Sequence, residues 1–220
     1  MYLASIEKTV RIVGSLGSLR MNLTLESWCS KMRKQFITSL LIGIDGLGGS
    51  GKTTYAYELQ KQLENSFVFH LDDFIHPRII RYDKNYQEWY CYYHLQWRYD
   101  YIIRKLFYPL KKRGTVNCTI ELYDKDTDSY KQKQINIPAG STVIVEGVFL
   151  QRPELRSYFD KVSFINVKKE ERLKRVLKRD VYIGHEKEIT GKYENRYFPA
   201  EEVYMTECDP LTLADEIHHL

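Results

Sequence analysis

The residues with the clearest chemical meaning form the run Gly46-Leu47-Gly48-Gly49-Ser50-Gly51-Lys52-Thr53-Thr54. It fits the spacing G-x-x-x-x-G-K-[ST], follows the apolar segment from Ser39 to Ile44, and leads into a helix-like stretch. Strand, turn and helix in that order are the context in which this spacing works. Gly46, Gly48, Gly49 and Gly51 let the backbone turn tightly, so that N–H groups from Ser50 through Thr54 can face phosphate oxygens near the start of a helix. Lys52 can reach the β and γ phosphates, and the Thr53 hydroxyl can complete the coordination of Mg²⁺. The chemistry implied is the binding of a nucleoside triphosphate; a Gly-rich turn with an incidental lysine is the alternative, against which the flanking strand argues.

Carboxylates at the ends of apolar runs supply the other half of such chemistry. Asp45 closes the segment before the loop, where it either orients the loop or caps a turn. Asp72 and Asp73 follow the apolar run Phe67 to Leu71, and ligands of a mostly parallel sheet collect beyond the carboxyl ends of its strands. Moving a phosphoryl group onto a hydroxyl calls for a carboxylate that holds the hydroxyl and takes its proton. Neighbouring residues of an extended chain point opposite ways, so one acid of the pair faces an acceptor, while the other serves metal-bound water or a helix end. At least one of Asp72 and Asp73 is therefore expected to act as a general base or at the metal, with simple turn chemistry as the alternative. Glu146 ends Thr142-Val143-Ile144-Val145 and precedes Gly147, a position suited to supporting Mg²⁺ through water.

The elements that must carry these groups follow from hydrophobic patterning. Ser39 to Asp45 is apolar without alternation and reads as a central parallel strand covered on both faces. Lys52 to Leu63 is the helix after the loop, and Phe67 to Leu71 a second buried strand. From Asp83 to Leu110, Trp89, Tyr93, Trp97 and Tyr101 recur every four residues, with Tyr86, Tyr90 and His94 alongside. This spacing predicts one long helix whose aromatics serve the core, or in part line a pocket for a flat ligand. Val116 to Tyr123 and Tyr130 to Ile137 flank the polar turn Asp124-Lys125-Asp126-Thr127-Asp128 and read as an antiparallel hairpin. Strands at Ser141 to Glu146 and Lys161 to Val167, and helices at Glu154 to Phe159 and Glu170 to Arg179, complete the alternation of a three-layer α/β fold with a mostly parallel sheet. Upstream, Val10 to Val13 reads as a short strand, and Thr24 as the cap of a helix from Glu26 to Gln35.

The 220 residues suffice for one sizeable domain, and a 43% hydrophobic, 28% charged composition without low-complexity tracts is that of a folded chain. Cys29, Cys91, Cys118 and Cys208 lie far apart and suit reduced thiols in a cytoplasmic protein. No apolar run approaches the roughly 20 residues that span a bilayer. The net charge of +4 is concentrated in Lys168, Lys169, Arg172, Lys174, Arg175, Lys178 and Arg179. Such a helix neutralises a migrating phosphoryl group, forms a solvated face, or, as the least favoured reading, meets nucleic acid. No Asn-Lys-x-Asp segment selects guanine.

Four segments together resemble the uridine kinase group of P-loop kinases, which includes nicotinamide riboside kinase, phosphoribulokinase and bacterial pantothenate kinase. They are Gly43-Ile44-Asp45-Gly46 with the phosphate loop, Leu71-Asp72-Asp73-Phe74, Val143 to Phe149, and Arg172-Leu173-Lys174-Arg175-Val176-Leu177-Lys178-Arg179-Asp180. The resemblance runs in order from Leu40 to Asp180. It implies the P-loop nucleoside triphosphate hydrolase fold with a lid, and ATP with Mg²⁺ as cofactors. It also implies Asp72 as general base, Glu146 near Mg²⁺, and Arg179 on the ATP phosphates, with Arg175 beside it neutralising developing charge. Tyr123-Asp124 is similar to the family's acceptor-binding Tyr-Asp.

The chain departs from the family beyond Asp180, where Val181-Tyr182-Ile183-Gly184-His185-Glu186-Lys187 stands in place of an Arg-Gly-Arg. Lys187, Lys192 or Arg196 are the cations available to replace it, and the stretch from Tyr193 to Tyr204 is expected to fold back on the core through its aromatics. The expectation is a single kinase domain over 1–220, comprising an N-terminal extension 1–37, a hairpin insertion 114–138, and a lid and C-terminal tail 180–220. It would phosphorylate a small hydroxyl acceptor of nucleoside type, without membrane or nucleic-acid partners and with homo-oligomerisation left open. The rival from another class is a nucleotide-binding regulatory or nucleic-acid-associated protein that has lost this chemistry.

Overall fold

The computed structural model describes residues 39–220. The expected strand at Val10 to Val13, the helix from Glu26 to Gln35 and the extension 1–37 lie outside the described residues. The apolar run before the phosphate loop is β1 (Leu40–Gly46), buried along its whole length. After the loop come α1 (Lys52–Gln62) and β2 (Ser66–His70). The aromatic region follows as α2 (Glu88–His94) and α3, a continuous helix of three segments, Tyr99–Ile102, Ile103–Phe107 and Tyr108–Arg113, whose middle segment is π-helical. β3 (Val116–Asp124) and β4 (Ser129–Ile137) form the hairpin, and β5 (Thr142–Glu146) and β6 (Lys161–Asn166) return to the main sheet. The chain ends with α4 (Lys169–Arg179), α5 (Glu186–Lys192), a π turn at Tyr193–Tyr197, α6 (Phe198–Cys208) and β7 (Glu216–His219).

The main sheet has the order β2-β5-β1-β6-β7 with every neighbouring pair parallel, and β3 with β4 stands apart as an antiparallel pair. This is the α/β architecture that the alternation of elements predicts. Side chains alternate across each strand. Leu41, Val143, Val145, Val162 and Phe164 therefore enter one core with the aromatic helices, while Leu40, Ile42, Ile44, Ile144 and Ile165 enter a second core with Tyr55, Ala56 and Leu59 of α1. Burial on both faces is why β1 and β5 read as unbroken apolar runs. β1 lies where successive connections leave in opposite directions, to β2 on one side and toward β6 on the other, and such switch points open a crevice at the strands' carboxyl ends.

Three expectations need correction. The stretch from Asp83 to Leu110 is not one helix, because it breaks between His94 and Tyr99. Trp97 pairs there with Ile75 in an antiparallel bridge, His76 N–H donates to the Gln96 carbonyl at 2.9 Å, and Arg98 N–H to the Phe74 carbonyl at 2.8 Å. Hydrogen bonds to a neighbouring segment thus replace those of a helix, although Tyr93, Trp97 and Tyr101 are all buried as the spacing foretold. Second, β2 stops at His70 and Leu71–Phe74 forms a 3-10 turn, so Asp72 and Asp73 diverge around a turn rather than across an extended strand. Third, β7 was not foreseen: four residues, Glu-Ile-His-His, are too short and polar for a periodic signal.

Phe149 is the hub of the aromatic core. Its ring lies 4.9 Å from that of Tyr204, 5.2 Å from Tyr93, 5.3 Å from Trp97 and 5.6 Å from Tyr92, and its backbone is left-handed at φ 64. A conformation unfavourable for a large residue is held in place by that packing. Phe149→Ala should lower unfolding free energy by about 3–5 kcal/mol in urea denaturation.

On the outer strand, Lys161 Nζ meets Glu216 at 2.6 Å. Burial alone would raise the Glu216 pKa, but His218 and Lys161 outweigh it and hold it at about 2. A depressed carboxyl contributes stability that is present above its ordinary pKa and lost as pH falls toward the folded value. Glu216→Gln is therefore expected to cost ~1 kcal/mol at pH 7. The difference from wild type should shrink at pH 3, as read by denaturation at the two pH values.

Candidate active site

The register of the sheet assembles the site. In the parallel pairings, Glu146 is level with Ile44 of β1 and with His70 of β2, so the strand-end acid, the histidine and the loop that follows β1 meet at one edge. The loop turns through left-handed conformations at Gly49 (φ 78) and Gly51 (φ 95), the latter sitting as the N-cap of α1. Among the described residues no side chain caps that helix, and the buried Ser50 hydroxyl has no partner. A Cβ on Gly51 would find nothing nearer than the Arg175 guanidinium at 3.9 Å. An uncapped helix N-terminus, an orphaned hydroxyl and open space beside a guanidinium fit a ligand carrying several anionic oxygens.

Lys52 leads α1 and curls back so that its amine donates to the Leu47 carbonyl at 3.0 Å. Burial pushes its pKa down, opposed by the charges of Glu146, Asp45, Asp72 and Glu201. Thr53 Oγ1 donates to Glu146 Oε1 at 3.1 Å, and the same oxygen meets His70 Nδ1 at 2.6 Å. Burial alone would raise the Glu146 pKa, but His70, Lys52 and Thr53 bring it below the ordinary value, while the hydrogen bond to Glu146 raises that of His70. Asp72 is exposed at the crevice beyond the strand ends. Desolvation by the groups around it, with the Glu146 charge, raises its pKa, against Lys52. Asp73 is half-buried and also raised by desolvation, against the charges of His70 and Lys133.

Lys52, Thr53, Glu146 and Asp72 are thus brought together, with Asp73 on the same turn. Thr53 and Glu146, with Asp73 nearby, are the residues that would hold Mg²⁺. Among the described residues no group of three or more His, Cys, Asp or Glu is placed to hold a metal unaided. This donor set fits a hard cation that takes its remaining oxygens from a ligand and water.

The basic helix is mostly paired. Arg175 reaches the Ser50 carbonyl at 3.4 Å and Glu171 at 3.1 Å. Arg179 is bonded through Nε and Nη2 to both Asp180 oxygens, at 2.6 and 3.0 Å, and to the Tyr193 hydroxyl. Arg172 is buried against Glu201, and Lys169 stands 3.6 Å from Glu202. Arg196, one of the cations considered for the lid, is 1% exposed and spends its guanidinium on the carbonyls of Arg81 and Glu88 and on Gln96. Those fixed bonds exclude it as a mobile cation.

At the hairpin, Arg81 donates to the Tyr123 hydroxyl at 2.7 Å, which donates to Asp128 at 2.6 Å, while Asp124 closes the turn with Thr127 and Lys131. Burial would raise the Tyr82 phenol, but Arg196, Lys192 and Arg81 outweigh it and bring it down. Asp45, left open between two roles by the sequence, orients the loop. It is fully buried, accepts Gly46 N–H at 2.8 Å and Gln151 Nε2 at 3.1 Å, and is bonded by the Tyr204 hydroxyl.

Sequence reasoning missed His70, Glu201 and the structural use of Arg172. The place of His70, just before an acid pair at a strand end, was a usable signal. Glu201 lies some 150 residues beyond the loop, in a stretch expected only to fold back on the core through its aromatics, and nothing there tied it to Gly48.

A scan against family models gives no match, and no curated protein matches the chain. Among solved structures it is similar to a possible uridine kinase from Bacillus stearothermophilus, at 31% identity over 89% of this chain and 99% of that one, with a TM-score of 0.67. A candidate fructose transport system kinase from Silicibacter sp. TM1040 matches at 17% identity, 90% and 100% coverage and a TM-score of 0.69. A D-glycerate 3-kinase from Cryptococcus neoformans matches at 12%, with 81% and 86% coverage and 0.55. At such identities the last two show the fold alone.

The tight seating of the loop is testable. A Cβ on Gly49 would lie 2.8 Å from Val176 Cγ1 and 2.9 Å from the Arg172 carbonyl, whereas one on Gly140, also left-handed at φ 75, would meet nothing within 4 Å. Both alanine variants bear about 1–2 kcal/mol of backbone strain, and Gly49→Ala should lose ~1–3 kcal/mol more through overlap. Equal melting temperatures for the two would contradict this packing.

Proposed function

Because the chain belongs to the uridine kinase-like P-loop kinases, we propose that it transfers the γ-phosphoryl group of ATP, with Mg²⁺, to a hydroxyl of a small nucleoside-like acceptor. The observation that carries this is the meeting of Lys52, Thr53, Glu146 and the cleft-facing Asp72 around an uncapped helix N-terminus. A bare phosphate-binding loop would need neither the strand-end acid nor a carboxylate of raised pKa opening onto a cleft.

Each residue's part follows from its surroundings. Lys52 and the loop amides bind β and γ phosphates and draw off their charge. Thr53 and Glu146 would hold Mg²⁺, which would neutralise charge on the phosphate oxygens; His70 fixes the Glu146 carboxylate in place. Asp72 orients the acceptor hydroxyl and takes its proton as the new oxygen–phosphorus bond forms. Its raised pKa improves it as a proton acceptor. Arg175, on the Ser50 carbonyl, sits beside the loop, and Arg179, oriented by Asp180 through Nε and Nη2, is the second cation of the helix for the phosphates. The aromatic and cationic wall of Tyr82, Arg81 and Tyr123 suits a flat acceptor bearing hydrogen-bonding groups. Pairing of the basic helix with Glu201, Glu171 and Asp180 favours this reading over a nucleic-acid surface.

Assay against a panel of nucleosides, vitamins and sugars, with a bare ATPase control, identifies the acceptor. On that acceptor, Asp72→Asn should retain ATP binding and lose about 100-fold or more in kcat. Unchanged turnover would remove Asp72 from the role of base.

A further inference from the structure

Resting on the donor-site reading above, we propose that Glu201 and Arg172 are a positioning pair that sets the shape of the phosphate loop by gripping both backbone polar groups of Gly48. Glu201 Oε1 accepts Gly48 N–H at 2.7 Å, and Arg172 Nη1 donates to the Gly48 carbonyl at 2.9 Å. The two side chains are joined to each other at 2.9 Å, and each is 5% exposed. Arg172 Nε is spent on the Val167 carbonyl at 3.2 Å, which anchors the pair to the segment between β6 and α4.

A buried ion pair is a weak source of stability, since desolvation offsets most of its attraction; its geometric demands are strict. Here the demand falls on one peptide of the loop. Residue 48 has no side chain to interfere, and a Cβ there would already lie 3.2 Å from Glu201 Oε1. The grip is transmitted directly: Leu47, the preceding residue, holds the Lys52 amine through its carbonyl, and Gly49, the following one, abuts Arg172 and Val176. A shift of Gly48 therefore moves the lysine and the first turn of the loop together. The pair draws one member from α4 and the other from α6.

A cavity of about 200 Å³ lies alongside, lined by Lys169, Phe198, Glu202 and Met205 as well as the pair. Water entering from it can solvate an arginine left alone, so truncation of Glu201 is compatible with folding.

The test compares Glu201→Ala, Glu201→Gln and the neighbouring Glu202→Ala in the full chain. Readouts are the Kd of a fluorescent trinitrophenyl-ATP analogue with Mg²⁺, thermal melting, and, once an acceptor is known, KM for ATP against kcat. Glu201→Ala should weaken nucleotide binding about 10-fold or more, with kcat and the acceptor KM within ~3-fold of wild type. Glu201→Gln, whose amide oxygen still accepts Gly48 N–H, should recover part of the loss, and Glu202→Ala should match wild type. Wild-type affinity in folded Glu201→Ala overturns the inference alone. Failure of wild type to bind any nucleotide overturns the donor-site reading and this inference with it. If Glu201→Ala does not fold, Glu201→Gln and Arg172→Lys decide: unchanged nucleotide affinity in both overturns the pair's role.

Discussion

A loop that offers its amide hydrogens to a ligand cannot be held by hydrogen bonds among those same groups; it has to be fixed from outside. Around Gly46 to Thr54 this constraint is met from several directions. Asp45 holds Gly46 N–H from beneath, and is itself held by Gln151 and Tyr204. Glu201 and Arg172 hold Gly48 from above. Val176 and the Arg172 carbonyl crowd the space where Gly49 would carry a side chain. The fold outside the central strands follows from this need: α4 and α6 both reach the loop, and neither could do so without the sheet order that places β6 beside β1.

The charges at the strand ends depend on that fixed frame. Lys52, Glu146, His70 and Asp72 are close enough to perturb one another, and each perturbation has a direction set by geometry. Burial opposes the charge on Lys52, and four carboxylates restore part of it. Glu146 is kept ionised by His70 and Lys52, and its charge in turn makes Asp72 a better proton acceptor. The low-dielectric surroundings that make each isolated charge costly are what make the mutual effects large. The aromatic core centred on Phe149 backs Asp72, since Trp97 and Tyr92, both near that carboxylate, pack on the Phe149 ring.

How much was legible in the chain depended on the range of the interaction. The loop, β1, α1, the hairpin and the strand-end acids could be read from residues no more than a few positions apart, because tight turns, alternation and capping are local constraints. The aromatic spacing correctly marked Tyr93, Trp97 and Tyr101 for burial, but the helix implied by that spacing was broken by bonds from Phe74 and His76, segments remote in sequence. Arg196 looked like a free cation because nothing nearby in sequence shows the carbonyls of Arg81 and Glu88 that enclose it.

The sequence alone determined the phosphate loop, the α/β alternation, and Asp72 and Glu146 as the acids worth attention, since each is fixed by neighbours along the chain. Only the tertiary structure decided that Asp45 supports the loop, that Arg179 faces Asp180, that His70 completes the Glu146 cluster, and that Glu201 and Arg172 close on Gly48. Those outcomes turn on which strands lie side by side and which buried charges find partners. Such choices are made by the packing of segments far apart in the chain, where no local pattern records them.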